Sequence, residues 1–483
     1  MLINVLAAIS LALTPAPSPP SPASVDAFVA RYREATGLPG AAVAIVKGTE
    51  VVHVAGYGRT STGEPVTADT PMAVASVSKS FTSLAVMRLV EQGRVELDRP
   101  VRGYLPEFTM ADPRAAAITV RQLLDQTSGM ADTTFREKSL PQPETLKGSV
   151  DRLRTAKLAA APGAVFSYHN TNFQVAARLV EVVSGEPFAS YLRAHVFTPL
   201  GMNSSTTIDR ERDLPASARG HLVVLGRAVA LPEPPGFGNG SGGVVSTAGD
   251  MARWLIAQNG GVLTPASMKE LRTPSRANER YALGWFLGRT PHGAPTVHHG
   301  GDLFTSTADQ LLMPGSGYGL AVMANTGMTH SDAHALMDGL VALIEGDTPR
   351  VPSAPPYLPV DLVFLLLTLV TAGLAVRGVA HSRRWAGRCT GWRRVRLVVW
   401  LAPLALCLSA APVFRVLARG GDIMWIQVVY LYPTFMVWLV TAAVAGTVVA
   451  GTRLGWSFAP AARERGPDRA SLTLGLARWQ LHR

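Results

Sequence analysis

The chain has 483 residues, 47% of them hydrophobic and 16% charged, with a formal net charge of +11, enough length for two or three domains with a sizeable core. The charge is lopsided: residues 1–350 hold 30 basic and 30 acidic side chains, whereas residues 351–483 hold 15 arginines against 4 acids. That excess lies beside apolar runs rather than on a soluble face, which argues against a nucleic-acid partner, and the two cysteines, Cys389 and Cys407, leave everything before them without disulfide or thiolate chemistry.

Residues 2–13 form a short apolar run, followed by a Pro/Ser/Ala stretch to Ala23. Residues 1–23 therefore read as a signal peptide or an N-terminal anchor, although no Lys or Arg precedes the run. Residues 24–347 read as one globular α/β (α+β) unit. Ser24 is the expected cap of a first helix reaching about Thr36, and Ala41–Lys47 with Glu50–Gly56 read as a strand pair across a Gly-Thr turn. Helical patterns dominate from 78 to about 200. Strand patterns return at Tyr281–Gly288, Thr296–His299, Thr307–Met313 and Gly319–Ala324, before a last helix at about Ser331–Ile344. Strands at both ends with helices between them predict one antiparallel sheet built from the two termini, with a helical region inserted.

Residues 348–359 are a proline-rich linker. Three apolar runs follow within 360–450, at about 360–380, 397–417 and 426–450, each near the ~20 residues a bilayer requires. The loop between the first two carries seven arginines and the tail 451–483 six, whereas the loop between the second and third carries only Arg415, Arg419 and Asp422. The positive-inside rule puts the first loop and the basic tail in the cytoplasm. The expected partner is then a lipid bilayer, and the expected location a multi-pass place in the cell membrane with the globular unit outside.

Chemistry is concentrated in three stretches. Ser76 and Lys79 are three apart at the start of a predicted helix over 78–92, so both side chains fall on one face; of the six lysines, only Lys79 has a serine at that spacing. A lysine desolvated near a helix N-terminus loses its proton more readily and can serve as the base for a serine nucleophile. Tyr168 and Asn170, just before a predicted helix over 171–185, offer a phenol to relay a proton and an amide to hold a substrate carbonyl. His298-His299-Gly300-Gly301-Asp302 reads as an edge strand whose glycines let a substrate backbone approach; a one-residue slip exchanges the two histidines between faces, and His299 is the one chosen. No HExxH or Cys/His cluster supports a metal site, and no cofactor is expected. The G-x-G-x-x-G match at 238–243 lacks a surrounding strand–helix–strand unit and reads as a glycine loop, and no G-x-S-x-G elbow is present.

The segments at 75–82 (ASVSKSFT), 123–130 (LLDQTSGM), 166–173 (FSYHNTNF) and 241–254 (SGGVVSTAGDMARW) together resemble the serine β-lactamase and penicillin-binding-protein superfamily, closest to its class C β-lactamase, DD-peptidase and family VIII carboxylesterase branch. The resemblance covers roughly residues 25–345. It implies Ser76 as acylated nucleophile, Lys79 as its base, Tyr168 as proton relay, Asn170 against the substrate amide, His299 where many relatives have lysine, Gly301 on the strand edge, and an oxyanion hole from the backbone N–H groups of Ser76 and Asp302. Its implied partner is a small-molecule or peptide substrate: a cell-wall D-amino-acid peptide, a β-lactam or an ester. Gln126 replaces a frequent histidine, and no Gly-Phe follows the third motif. Histidine at 299 implies a weaker, pH-dependent hold on a substrate carboxylate, which disfavours efficient β-lactam hydrolysis. No glutamate suggests itself as a dedicated deacylation base.

Overall fold

The computed structural model describes residues 20–389, 391–417 and 420–458. The apolar run at 2–13 and most of the tail beyond 451 lie outside them. Helix α1 (Pro22–Thr36) is capped by Ser21, whose side chain accepts from the Ser24 N–H, and not by Ser24 itself. Pro22 explains the earlier start, since its fixed φ and missing N–H suit the first helical turn.

Six strands form one antiparallel sheet: β1 (Gly40–Lys47), β2 (Glu50–Gly58), β3 (Phe286–Arg289), β4 (Pro295–Asp302), β5 (Thr307–Met313) and β6 (Tyr318–Ala324), in the order β2-β1-β6-β5-β4-β3. The closure expected between the two ends of the unit is the β1–β6 ladder, which runs from Ala41 opposite Ala324 to Lys47 opposite Tyr318. Both strands are buried almost throughout, so they read as continuous apolar runs rather than alternating ones. Tyr281 stands outside β3 and reaches Phe286 through a single bridge.

The sheet separates two apolar layers. On one face Val25, Phe28 and Val29 of α1 pack with Leu336, Leu340 and Ile344 of the last helix of this part, α5 (Asp332–Glu345). On the other lie α2 (Ser78–Glu91), α3 (Asn170–Ser184) and α4 (Ala248–Gly260). The sequence marks one apolar stripe on α2, yet every residue from Ser78 to Met87 is buried. Three of its four hydroxyls are paired: Ser78 accepts from Val244 N–H at 2.9 Å, Ser80 donates to the Val77 carbonyl at 2.7 Å, and Thr82 donates to the Gly240 carbonyl at 2.6 Å, while Ser83 has no such partner. Such pairing lets a Ser/Thr-rich helix sit inside a core.

After the irregular residues 348–357, two helices are long and apolar enough to cross a membrane: α6 (Leu358–Ala380) and α10 (Pro433–Phe458). The run expected as one span over 397–417 is instead α7 (Val398–Leu408) and α8 (Ala410–Leu417), with a bend of 63° at the break. Pro412 accounts for this: it has no N–H, and its ring clashes with the carbonyl four residues back. Among the described residues the helices thus offer two candidate spans, or three if the bent pair is one. A short helix, α9 (Trp425–Leu431), precedes α10. The chain divides into two compact units; the first comprises residues up to 367 together with 408–438, and so extends past residue 347, and the second comprises 368–407 with 439 onward.

Gln310 on β5 links the sheet to the helical layer. Its Nε2 donates to Ser80 Oγ at 2.8 Å, and its Oε1 accepts from Trp254 Nε1 at 2.8 Å. Gln310→Leu leaves two buried polar groups without that partner and is expected to lower stability by about 1–3 kcal/mol, read as a lower urea midpoint with an unchanged slope.

Candidate active site

Ser76 lies in a single 3₁₀ turn, Ala75–Val77, leading into α2. The turn is tight: Ala75 has φ 47°, a left-handed conformation that non-glycine residues seldom adopt. One turn further on, Lys79 has no exposed surface. Its Nζ lies 2.9 Å from Ser76 Oγ, 2.9 Å from Asn170 Oδ1 and 2.8 Å from the Ser241 carbonyl oxygen. Two of these oxygens can only accept, and the third belongs to a hydroxyl. An ammonium donates to all three, whereas a neutral amine donates to two and turns its lone pair to the Ser76 proton. Burial brings the Lys79 pKa down to about 7, opposed by the field of Glu137 and assisted by that of Lys138.

The other groups arrive from separate elements. Tyr168 lies two residues ahead of α3, and its ring centroid is 4.8 Å from Lys79 Nζ. Protein packed around the phenol raises its pKa, and a hydrogen bond with Ser76 opposes the rise. Gln126, in a left-handed turn with φ 62°, holds this segment: its Oε1 accepts from the His169 N–H at 3.0 Å and from Asn172 Nδ2 at 2.5 Å. The glycine loop 238–243 supplies the Ser241 carbonyl to Lys79. On β4, a side chain at Gly301 would put its Cβ 2.3 Å from the Val74 carbonyl oxygen and 2.9 Å from the Ser76 nitrogen, so only glycine lets this strand meet the serine turn.

Ser76, Lys79, Tyr168 and Asn170 are therefore brought together, with Gly301 against the same turn. His299 behaves differently from the titratable hold expected of it. Its Nδ1 lies 2.6 Å from the Gly300 carbonyl oxygen and its Nε2 lies 3.3 Å from the Tyr281 hydroxyl. A carbonyl only accepts, so the proton is on Nδ1 and Nε2 accepts from Tyr281. Burial, then the charge of Lys79, press its pKa down to about 3; the imidazole is neutral at any working pH. Asp302 turns its carboxylate to His334 of α5, at 3.1 Å from Nε2, while Asp309 binds Nδ1 at 2.8 Å. Burial disfavours the imidazolium, but these two carboxylates outweigh it and raise the pKa of His334 to about 10.

A cavity of about 580 Å³ opens above Ser76. Five carboxyl side chains line it, Glu137, Glu211, Glu233, Asp302 and Asp309, together with Lys138 and His334. Burial raises the pKa of Glu211 to about 8 and that of Glu233 to about 7. The sequence reading missed Glu137 and His334, which lie 61 and 258 residues from Ser76 and belong to no spaced motif. Among the described residues, His292, Glu345 and Asp347 bring ligand atoms within 4.8 Å of one another; the group is largely exposed and does not line the cavity.

A family model described as Beta-lactamase matches residues 25–342. The chain belongs to that family. It is a family of serine hydrolases with this α/β fold that also includes penicillin-binding proteins. Penicillin-binding protein 4 of Amycolatopsis lactamdurans is 30% identical over 346 residues, covering 67% of this chain and 90% of that protein. Protein flp of Staphylococcus aureus (strain MW2) is 28% identical over 316 residues, but the match spans only 62% of each chain. The solved structure of a penicillin binding protein from Bacillus halodurans superposes with a TM-score of 0.56 at 26% identity, over 66% of this chain and 98% of that one.

The raised pKa of His334 has a sign that can be checked. The charged ring stabilises the fold fully below its unfolded pKa of about 6.5, and that stability is lost as pH rises through about 10. His334→Gln is expected to remove this loss, so the gap between wild-type and variant urea midpoints should narrow from pH 6 to pH 10.5. A constant gap would contradict the assignment.

Proposed function

We propose that this member of the Beta-lactamase family is a membrane-anchored acyl hydrolase whose serine domain faces outside, and that it acts on esters or amides with a neutral or cationic acyl part. The observation that carries the reading is the Lys79 amine, out of water and within hydrogen-bond distance of Ser76. Ser76 Oγ attacks the substrate carbonyl and passes its proton to the neutral Lys79. The backbone N–H groups of Ser76 and Asp302 face the oxyanion. Tyr168 hands a proton to the leaving group as the C–O or C–N bond breaks, and Asn170 steadies the substrate amide. A water molecule then cleaves the acyl ester, giving its proton back through Tyr168 and Lys79, and Ser76 is restored. Domain limits of 24–347 for this function, a leader over 1–23, and arginine-rich cytoplasmic segments complete the proposal.

The charge of the cavity supports the substrate class. A penicillin or a peptide C-terminus presents a carboxylate. His299 cannot meet it as a cation, and His334 is already held by two carboxylates. Lys138 is the remaining cation on the lining, beside Glu137, Asp302 and Asp309, whereas burial favours the neutral form of Glu211 and Glu233. A second reading, a penicillin or cell-wall-peptide sensor with little turnover, is favoured by the names of two similar proteins, both penicillin-binding.

Two outcomes test these readings. Ser76→Ala is expected to abolish both covalent labelling by a fluorophosphonate and hydrolysis of a p-nitrophenyl ester, and the wild-type labelling rate should rise with pH through a midpoint near 7 as Lys79 loses its proton. Turnover of the ester and of a D-alanyl anilide should exceed that of a penicillin by about tenfold or more in kcat/KM; a long-lived penicillin adduct with negligible ester turnover would instead establish the sensor.

A further inference from the structure

The residues before α10 belong to the same compact unit as Ser76, and they are joined to the rim of the cavity by specific bonds. The Asp422 carboxylate accepts from the backbone N–H groups of Lys138, at 2.6 Å, and Ser139, at 3.0 Å, and from the Ser139 hydroxyl. Its own N–H donates to Asp132 at 3.0 Å, and Arg415 donates to Ser139 Oγ at 3.0 Å. At the other end, the Tyr430 hydroxyl donates to the Pro232 carbonyl at 2.8 Å, and its ring meets Phe304 edge-on. Between these anchors Gln427 lines the cavity together with Ser76.

The anchored loop carries Glu137. That residue is only 5% exposed, lines the cavity, and accepts from the Thr171 hydroxyl at 2.8 Å. Asp422 fixes the two peptide groups that follow it. Asp422 itself is only 3% exposed, and a buried carboxylate bound to three donors holds its partners firmly. Residues that sequence alone assigns to a loop between membrane spans thus hold the loop whose Glu137 acts on the Lys79 amine through its charge.

We propose that the segment 420–431 is a wall of the substrate site, with Gln427 contacting substrate and Asp422 acting as a positioning residue for the Glu137 loop. The proposal rests on the hydrolase reading for its kinetic consequences but not for its geometry. The charged and titratable groups around Lys79 are Glu137, Lys138, Tyr168 and His299. Of these, Glu137 and Lys138 lie on the anchored loop, and Glu137 has the larger effect on the amine.

The test uses the full chain in detergent or vesicles. Asp422→Ala is expected to speed amide hydrogen exchange at Lys138 and Ser139 about tenfold or more, and to move the pH midpoint of fluorophosphonate labelling downward as Glu137 leaves Lys79. Gln427→Trp is expected to raise KM for a p-nitrophenyl ester several-fold, about threefold or more, with the smaller change in kcat. Unchanged exchange in Asp422→Ala with an unchanged KM in Gln427→Trp would overturn the proposal. Should Asp422→Ala fail to fold, Gln427→Trp decides by itself. If the wild type takes no fluorophosphonate at Ser76, the hydrolase reading fails, while the exchange experiment still decides the docking.

Discussion

The site depends on taking one amine out of water. An exposed lysine holds its proton some three pH units above neutrality and is no base for a serine hydroxyl. Lys79 is buried, and its partners are two carbonyl oxygens and one hydroxyl. Burial disfavours the ammonium form, and the arrangement of partners leaves the neutral amine one productive orientation. The hydrogen-bonding pattern and the lowered pKa therefore have a common origin in the fold.

That environment is assembled by closure of the sheet. β1 from the beginning of the unit and β6 from its end zip together over seven residue pairs. This brings β4, two strands from β6, against the turn that carries Ser76. A glycine at 301 and a strained Ala75 are the local costs of so close an approach. Ser80, Ser78 and Thr82 of α2 are tolerated because Gln310, Val244 and Gly240 each supply a partner.

Much of this was legible in the sequence, for physical reasons that also explain what was not. Ser76 and Lys79 could be paired because three residues along a helix is a fixed geometry. The strand at 319–324 stood out because it is an apolar run, and the one at 307–313 because Pro314 and Gly315 end it. The Tyr168 segment was found by its spacing to Asn170. Invisible were contacts whose partners are far apart in the chain: the Ser241 carbonyl on Lys79, Glu137 beside it, and Asp422 beneath the Glu137 loop. A backbone carbonyl carries no residue signature, and a lone acid in a loop looks like a solvated one. The break between α7 and α8 had a local cause in Pro412, but a hydropathy window averages over it.

His299 on β4 and His334 on α5 show how little residue type alone fixes charge. His299 and His334 have the same intrinsic affinity for a proton. One sits among Tyr281, Tyr168 and Phe286 with a neighbouring amine, and stays neutral. The other sits between two carboxylates and stays charged. Where family resemblance puts histidine in place of a lysine, the expected cation is thus absent, and the cation that is present comes from a helix behind the strand. Gly300 is what lets the two surfaces meet, since a Cβ there would lie 2.5 Å from the His334 ring. Because His334 spends its charge on Asp302 and Asp309, that group of three retains one net negative charge at neutral pH. The proposed preference for an ammonium or uncharged acyl group rests on that charge, which repels a carboxylate approaching the strand edge.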